Sequence, residues 1–261
     1  MKLSVNKWRV FAAKEFVENL RTKKLLVLIC VFVFLALLSV VTARFMVEIF
    51  TAVLGAGDSP ITIVIPDPVW SDSYAQLYSN LTEMGMIAFI MLFMGAILRE
   101  KSTGTIDLMQ AKGLTPAIFV LSKFMVAAAI AVFALLIAVF VTYVYTLILF
   151  EYGGNIGNVL LGAVPFGVFM LMMLAITLMW SAIAKSTAIC AVLGLVSYFI
   201  LIPIGMIPRI GQYMPGELLG HGVFLSTGAG TENMWVHILI AGFIMVAALI
   251  ITINVLRKRE G

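Results

Sequence analysis

A short charged connector between two long apolar runs is the segment of this chain best suited to transmit force. It covers residues 99–116 and reads Arg-Glu-Lys-Ser-Thr-Gly-Thr-Ile-Asp-Leu-Met-Gln-Ala-Lys-Gly-Leu-Thr-Pro. Gly104 permits a sharp turn because glycine has no Cβ, and Thr115 followed by Pro116 is typical of a helix start. Three apolar residues follow the turn, namely Ile106, Leu108 and Met109. We interpret the connector as a short surface helix that couples a partner to two membrane spans.

The composition of the chain indicates a membrane environment for the segments on either side of this connector. Hydrophobic residues make up 62% of the 261 residues and charged residues only 11%, against about 25% charged in soluble proteins. Apolar runs of about 20 residues read as transmembrane helices. Six such runs are predicted, over 25–45, 84–98, 117–150, 157–184, 187–207 and 235–256. The second is short, and we expect it to begin earlier, near a cap at Asp72. The predicted fold is an all-α polytopic membrane protein in which residues 1–261 form one transmembrane domain.

Lys and Arg in the short loops predict the orientation of these spans. Basic residues gather in 2–24, in 99–123 and in 257–259, whereas 46–80 holds four acidic residues and no Lys or Arg. This alternation predicts a multi-pass protein of the cell membrane with both termini and the connector in the cytoplasm. The net charge of +4 is therefore a topology signal, and no basic stripe with stacking aromatics points to nucleic acid.

The residues before the first span predict a helix that lies in the cytoplasmic membrane interface, over about 5–22. Polar residues at helical spacing form one stripe and apolar residues stepping by four form another: Lys7, Lys14 and Glu18, against Trp8, Ala12, Phe16 and Leu20. A helix with two such faces suits the boundary between headgroups and acyl chains. The alternative is a plain basic flank that only sets topology.

The connector resembles the one after the second span in ABC transporter permeases of the type-2 exporter superfamily, which have the type V exporter fold. In those permeases an acidic-basic cluster, a Gly-Thr pair and apolar residues precede a Gly/Pro turn and a Lys or Arg. Lys14-Glu15 and the stretch 20–24 also resemble the start of their elbow helix. The resemblance implies that the connector docks on an ATPase through Glu100, Gly104, Thr105, Ile106, Asp107, Leu108 and Met109. It also implies elbow residues Trp8, Lys14, Glu15 and Phe16.

The chain carries no phosphate-binding loop of the Gly-x-x-x-x-Gly-Lys-Ser/Thr type; the nearest imitation, 184–187, has no glycine frame. We therefore expect no catalytic residues, metal or cofactor here, with ATP and Mg²⁺ bound by a separate cytoplasmic ABC ATPase. By resemblance, two ATPase copies would serve two permeases, as a homodimer or with a close paralogue, in the lipid bilayer. The family's substrate path would be lined by Met86, Phe89, Ile90, Phe93, Ser197, Phe199 and Ile200. Ordinary helix packing is the alternative for these positions.

Other interpretations of the function and of the remaining polar residues are supported by fewer positions in the sequence. A self-sufficient secondary transporter or a membrane scaffold remains open, although the spans show no chain of buried carboxylates. Ionisable residues inside spans are functional candidates. Arg44 and Glu83 lie near span ends, where either boundary anchoring or a contact between the two explains them. His221 and His237 look isolated, which argues against an intramembrane metalloenzyme. Short outer helices are expected around 215–221, and a short strand or a passive connection within 61–65.

Overall fold

The chain folds into helices that follow the apolar runs of the sequence. The computed structural model describes residues 2–54, 67–106, 108, 113–204, 213–231 and 233–258, without the side chains of 2–9, 50, 53, 54 and 202–204. We number the helices α1 (Lys2–Arg21), α2 (Lys24–Arg44), α3 (Met46–Leu54), α4 (Trp70–Asn80), α5 (Met86–Phe93), α6 (Leu98–Ser102), α7 (Pro116–Phe150), α8 (Ile156–Ile183), α9 (Thr187–Ile204), α10 (Leu218–Ser226) and α11 (Met234–Arg257).

Five helical stretches are long and apolar enough to cross a membrane, judged over the described residues. They are 24–44, 70–102, 116–150, 156–183 and 234–257. The predicted run at 187–207 appears as the shorter α9, so the count of six spans stays a prediction. The second stretch begins well before residue 84, as expected from Asp72, whose Oδ2 accepts the Val69 N–H at 2.8 Å. A π-helical turn, Leu81–Gly85, joins α4 to α5.

Helix α8 lies at the centre of the bundle and packs against α5, α7, α9, α10 and α11, while α2 packs against α4 and α7. Pro165 lies inside α8, which continues through it without a break. Met86, Met170, Met172 and Met173 are buried in the core. This burial fits the packing role of thioether side chains.

The bundle has two distinct ends. At the connector end lie α1, α6, the start of α7 and the end of α8. At the opposite end, Tyr74 donates a hydrogen bond of 2.7 Å to the Gly153 carbonyl, and Trp70 contacts Tyr152 edge to face. Arg44 lies over the Phe150 ring rather than pairing with Glu83, whose carboxylate accepts from Ser79.

The short helices expected before the last span are present as a 3₁₀ turn, Pro215–Glu217, followed by α10. Helix α10 crosses α8 at very close range, where Gly162 and Gly222 face each other without side chains. The segment 61–65, predicted as a strand or passive connection, lies outside the described residues, as does Pro208.

Candidate functional site

Three separate parts of the sequence meet in one ion network at the connector end. Lys123 of α7 contacts the Glu15 carboxylate of α1 at 2.7 Å and the Glu100 carboxylate of α6 at 3.1 Å. Lys14 of α1 reaches the same Glu100 oxygen at 2.8 Å. It also contacts Glu15 at 3.2 Å and Glu18 at 3.0 Å. We call these five residues the ion cluster.

The centre of the ion cluster is buried. Lys123 is 6% exposed and Glu100 is 7% exposed. Glu100 Oε2 is also buried and has no hydrogen-bond partner among the described residues. A small cavity of about 40 Å³ adjoins Glu15, Glu18 and Glu100, and this volume admits water. Removing one member of such a network leaves the opposite charge uncompensated in a poorly hydrated site, which is costly.

The three carboxylates of the ion cluster lie close enough together to hold a metal ion. However, the ammonium groups of Lys14 and Lys123 already contact Glu15 and Glu100 at 2.7–3.2 Å. Two cations at that range oppose a third, so we assign the arrangement to ion pairing rather than to metal binding.

The half-exposed members of the ion cluster show how strongly the charges act on each other. Burial alone would lower the pKa of Lys14, but the hydrogen bond to Glu100 and the charges of Glu15 and Glu100 outweigh burial and raise it. Burial would raise the pKa of Glu18, but the hydrogen bond from Lys14 and the charges of Lys123 and Lys14 lower it. Both shifts favour the charged forms, so the pairs persist across physiological pH.

Apolar contacts bring α1 to this position. Phe11 is buried and its ring lies 5.6 Å from that of Phe119, one turn before Lys123 on α7. Phe11 and Glu15 are four residues apart and therefore share a face of α1. The chain then turns at Lys23, which has a left-handed φ of 56°, and α2 begins at Lys24. The turn fixes the angle between α1 and the first span.

The start of the connector is held by α8. The helix of the second span breaks over 94–97, and Ser181 of α8 accepts the freed N–H groups of Ile97 and Leu98 at 3.0 and 3.1 Å. Lys101 donates to the carbonyls of Ala182 and Ala184, at the end of the same helix. The connector is therefore fastened to α1, α7 and α8 together.

Beyond this anchor, the connector residues differ in exposure. Gly104 has a φ of +67° with open space around it, and Thr105 shares a 2.7 Å hydrogen bond with Thr103. Ile106 is 7% exposed and belongs to the hydrophobic core, whereas Leu108 is 67% exposed. The expectation of one shared outward face for the apolar residues is thus wrong for Ile106, because it packs inside the bundle. Asp107 and Met109 lie outside the described residues.

Helix α1 covers the range predicted for the elbow helix. Glu15 is buried, and the half-exposed Lys14 bends toward Glu100 because acidic partners lie on that side. Phe16 and Leu20 are exposed, and their contact with lipid stays a prediction. The Trp8 side chain lies outside the described residues.

The residues expected to line a substrate path are not brought together within one chain. Four of them, Met86, Phe89, Ile90 and Phe93, are buried in the core. Ile90 packs so close to Gly194 of α9 that a Cβ there would lie 2.8 Å from its Cγ2. Ser197 accepts from the Trp180 indole N–H at 2.9 Å. Phe199 and Ile200 are exposed on the outer side of α9. Their role in a path stays a prediction.

Sequence reasoning missed Lys123 and Ser181. Lys123 was counted with the basic residues of the connector, although it lies seven residues into the helix that starts at Pro116. A lysine inside an apolar run is costly unless it is paired, so its presence there predicts a buried carboxylate partner. Glu15 and Glu100 are the carboxylates that pair with Lys123. Each has a basic residue next to it in the sequence, so each looks like a member of an ordinary surface charge pair. Nothing in the sequence singles out Ser181.

A family model described as ABC-2 family transporter protein matches residues 9–219 of the chain. The matched region runs from α1 to the start of α10, and it includes every member of the ion cluster. Among curated proteins, none matches the chain.

Proposed function

Because the chain belongs to the ABC-2 family of transporter proteins, we propose that it is the membrane-spanning permease subunit of an ATP-driven exporter. A separate cytoplasmic ABC ATPase binds ATP together with Mg²⁺ and hydrolyses the ATP, and two copies of this ATPase serve two permeases. The observation that supports this function best is the ion cluster, which joins the elbow helix α1, the connector and α7. A permease driven from outside its own chain needs such a rigid junction at the docking surface.

In this proposal the ion cluster holds the connector rigidly against the bundle, so that the connector transmits movement and does not bend like a flexible loop. Glu100 is buried and holds α6 to Lys14 and Lys123. The residues that contact the ATPase lie beyond the turn at Gly104. Leu108 is the exposed apolar residue there. A push on it is transmitted through α6 to α1, α7 and α8, and these helices switch the spans between two arrangements.

The proposed topology has six spans, with α9 as the fifth, and both termini in the cytoplasm. A second copy, or a close paralogue, faces the exposed side of α9 that carries Phe199 and Ile200. The cargo moves between the two copies and is hydrophobic or amphipathic, such as a peptide, a drug or a lipid-like compound, because the available surfaces are apolar.

We expect Leu108→Ser to weaken binding of the ATPase. An exposed leucine that becomes buried at an interface contributes about 2 kcal/mol, which corresponds to about 30-fold in affinity. The measurement is co-purification of the permease, in detergent, with ABC ATPases expressed from the same genome, followed by the affinity for the one that binds. Val69→Ser removes another exposed apolar residue, at the opposite end of the bundle, and serves as the control.

Ile106→Ser separates docking from folding. Ile106 is buried inside the permease, so its replacement should lower the permease melting temperature, whereas Leu108→Ser should leave it unchanged. Wild-type binding by Leu108→Ser would mean that the connector does not dock through this residue. Failure of the wild-type chain to bind any ABC ATPase would overturn the proposed function itself.

Gly104→Val should uncouple ATP hydrolysis from export while much of the binding remains. The φ of +67° at Gly104 costs a residue with a Cβ about 1–2 kcal/mol, although the space around it is open. The strain is relieved if the turn changes direction, which tilts Leu108 without deleting it. The measurement is substrate-stimulated ATPase activity together with transport in proteoliposomes. Normal coupling in this variant would show that the direction of the turn does not matter.

A further inference from the structure

The two histidines of the chain meet at the end of the bundle opposite the connector. His221 lies on α10 and His237 lies in the first turns of α11. Their ring nitrogens, His221 Nε2 and His237 Nδ1, are 3.2 Å apart and the ring centroids are 5.2 Å apart. The sequence suggested isolated histidines because sixteen positions separate them, but α10 and α11 contact each other and bring the two rings together.

The spacing of the two nitrogens suits a shared metal ion. Zn²⁺ binds imidazole nitrogen at about 2.0–2.1 Å in tetrahedral geometry, which sets two ligand nitrogens about 3.3 Å apart. The observed 3.2 Å meets that requirement with only small changes in ring orientation. A hydrogen bond between two neutral imidazoles gives a similar distance, so the metal and the hydrogen bond must be separated by experiment.

A third donor can come from Glu217, one turn before His221. Glu217 ends the 3₁₀ turn that leads directly into α10. Among the described residues only the three carboxylates of the ion cluster form a ready set of three ligands, so the exposed Glu217 side chain has to rotate toward the two imidazoles to join them. Glu217 is exposed and His221 is half-buried, whereas His237 is buried. An ion could therefore enter from the surface and lose water as it meets His237.

The backbone that carries these donors is held in place before any ion binds. Helix α10 rests on α8 where Gly162 and Gly222 approach, and a Cβ built on Gly222 would lie 3.0 Å from the Gly162 carbonyl oxygen. The Tyr78 ring packs against the same glycine. Such fixed elements keep the donors near their binding geometry, which favours a specific site over a chance encounter of side chains.

We propose that His221, His237 and Glu217 bind one divalent transition-metal ion of the Zn²⁺ class. The donor set of two imidazoles and one carboxylate, completed by water, is one that Zn²⁺ accepts. The bound ion fastens α10 to the last span, α11, at the end of the bundle farthest from the ion cluster. This site is independent of ATP hydrolysis and of the connector.

The test uses the full-length chain, purified in detergent with a tag that contains no histidine. Calorimetric titration with Zn²⁺ should give one ion per chain, and Co²⁺ should give the visible absorption of a tetrahedral complex. His221→Gln should weaken Zn²⁺ binding at least about 100-fold, since loss of a mere outer-shell partner already costs 10–100-fold. Glu217→Gln should weaken it less. Glu48→Gln, an exposed carboxylate on α3, should leave binding unchanged.

Thermal unfolding provides the second measurement. A ligand that binds only the folded chain raises the melting temperature, so Zn²⁺ should stabilise the wild type and Glu48→Gln but not His221→Gln. His221 is the better residue to replace, because His237 is buried and its replacement is expected to impair folding. Absence of saturable Zn²⁺ binding by the wild type, or unchanged binding by folded His221→Gln, would overturn the site and leave a hydrogen bond between the rings.

Discussion

Replacing Lys123 with methionine is expected to destabilise the connector end by about 3–5 kcal/mol, the usual cost of leaving buried charge without its partner. Lys123 contacts both Glu15 and Glu100 at 2.7 and 3.1 Å. Methionine keeps most of the side-chain volume, so the loss reflects charge rather than packing. Lys14 compensates only in part, because it already contacts Glu15 and Glu100. Thermal unfolding in detergent measures the effect, and limited proteolysis within α1 shows whether this helix detaches from the bundle.

Two comparisons separate the ion cluster from general charge effects. Lys185→Met removes an exposed lysine in the turn between α8 and α9 and should change stability by less than about 0.5 kcal/mol. Combining Lys123→Met with Glu15→Gln and Glu100→Gln removes the uncompensated charges, so much of the lost stability should return. If Lys123→Met behaves like Lys185→Met, the ion cluster does not hold the three helices together.

The sequence predicted five of its six spans at the places where the structure has helices of membrane-spanning length, because long hydrophobic runs report directly on the bilayer. The remaining span and the orientation inferred from flanking charges stay predictions. The sequence predicted the ion cluster poorly because Lys14, Glu15, Lys123 and Glu100 look like ordinary interfacial charges when read in order along the chain. Their pairing depends on how α1 folds back on α7, and the turn at Lys23 that sets this has no sequence signature of its own: a left-handed lysine is uncommon.

The same limit applies to exposure along the connector and to the two histidines. The pattern of Ile106 and Leu108 identifies apolar residues near the surface, but only the turn at Gly104 decides that Ile106 is buried and Leu108 is exposed. His221 and His237 come together because of the close crossing of α10 over α8. Short helices outside the spans are positioned by such tertiary contacts, which a single sequence does not encode in its periodicity.

That crossing leads to the second large expected effect, from Gly162→Ala. A Cβ at Gly162 would lie 2.1 Å from Ser226 Oγ and 2.6 Å from the Gly222 carbonyl oxygen. The Ser226 side chain can rotate away, but the Gly222 backbone cannot move without shifting α10. Overpacking of this kind costs about 1–3 kcal/mol and occasionally more. We expect the upper end of that range, measured as a lower melting temperature in detergent and as poorer monodispersity of the expressed protein.

Gly220→Ala is the matched control, since it lies on α10 with open space where the Cβ would be. Alanine is a better helix former than glycine by about 1 kcal/mol, so this variant should be neutral or slightly more stable. Adding Ser226→Ala to Gly162→Ala removes the nearer of the two clashes and leaves the Gly222 carbonyl in place. Partial rescue is therefore expected, as a coupling between neighbouring sites. Additive losses, or a stable Gly162→Ala protein, would mean that α10 does not rest on α8 at this glycine.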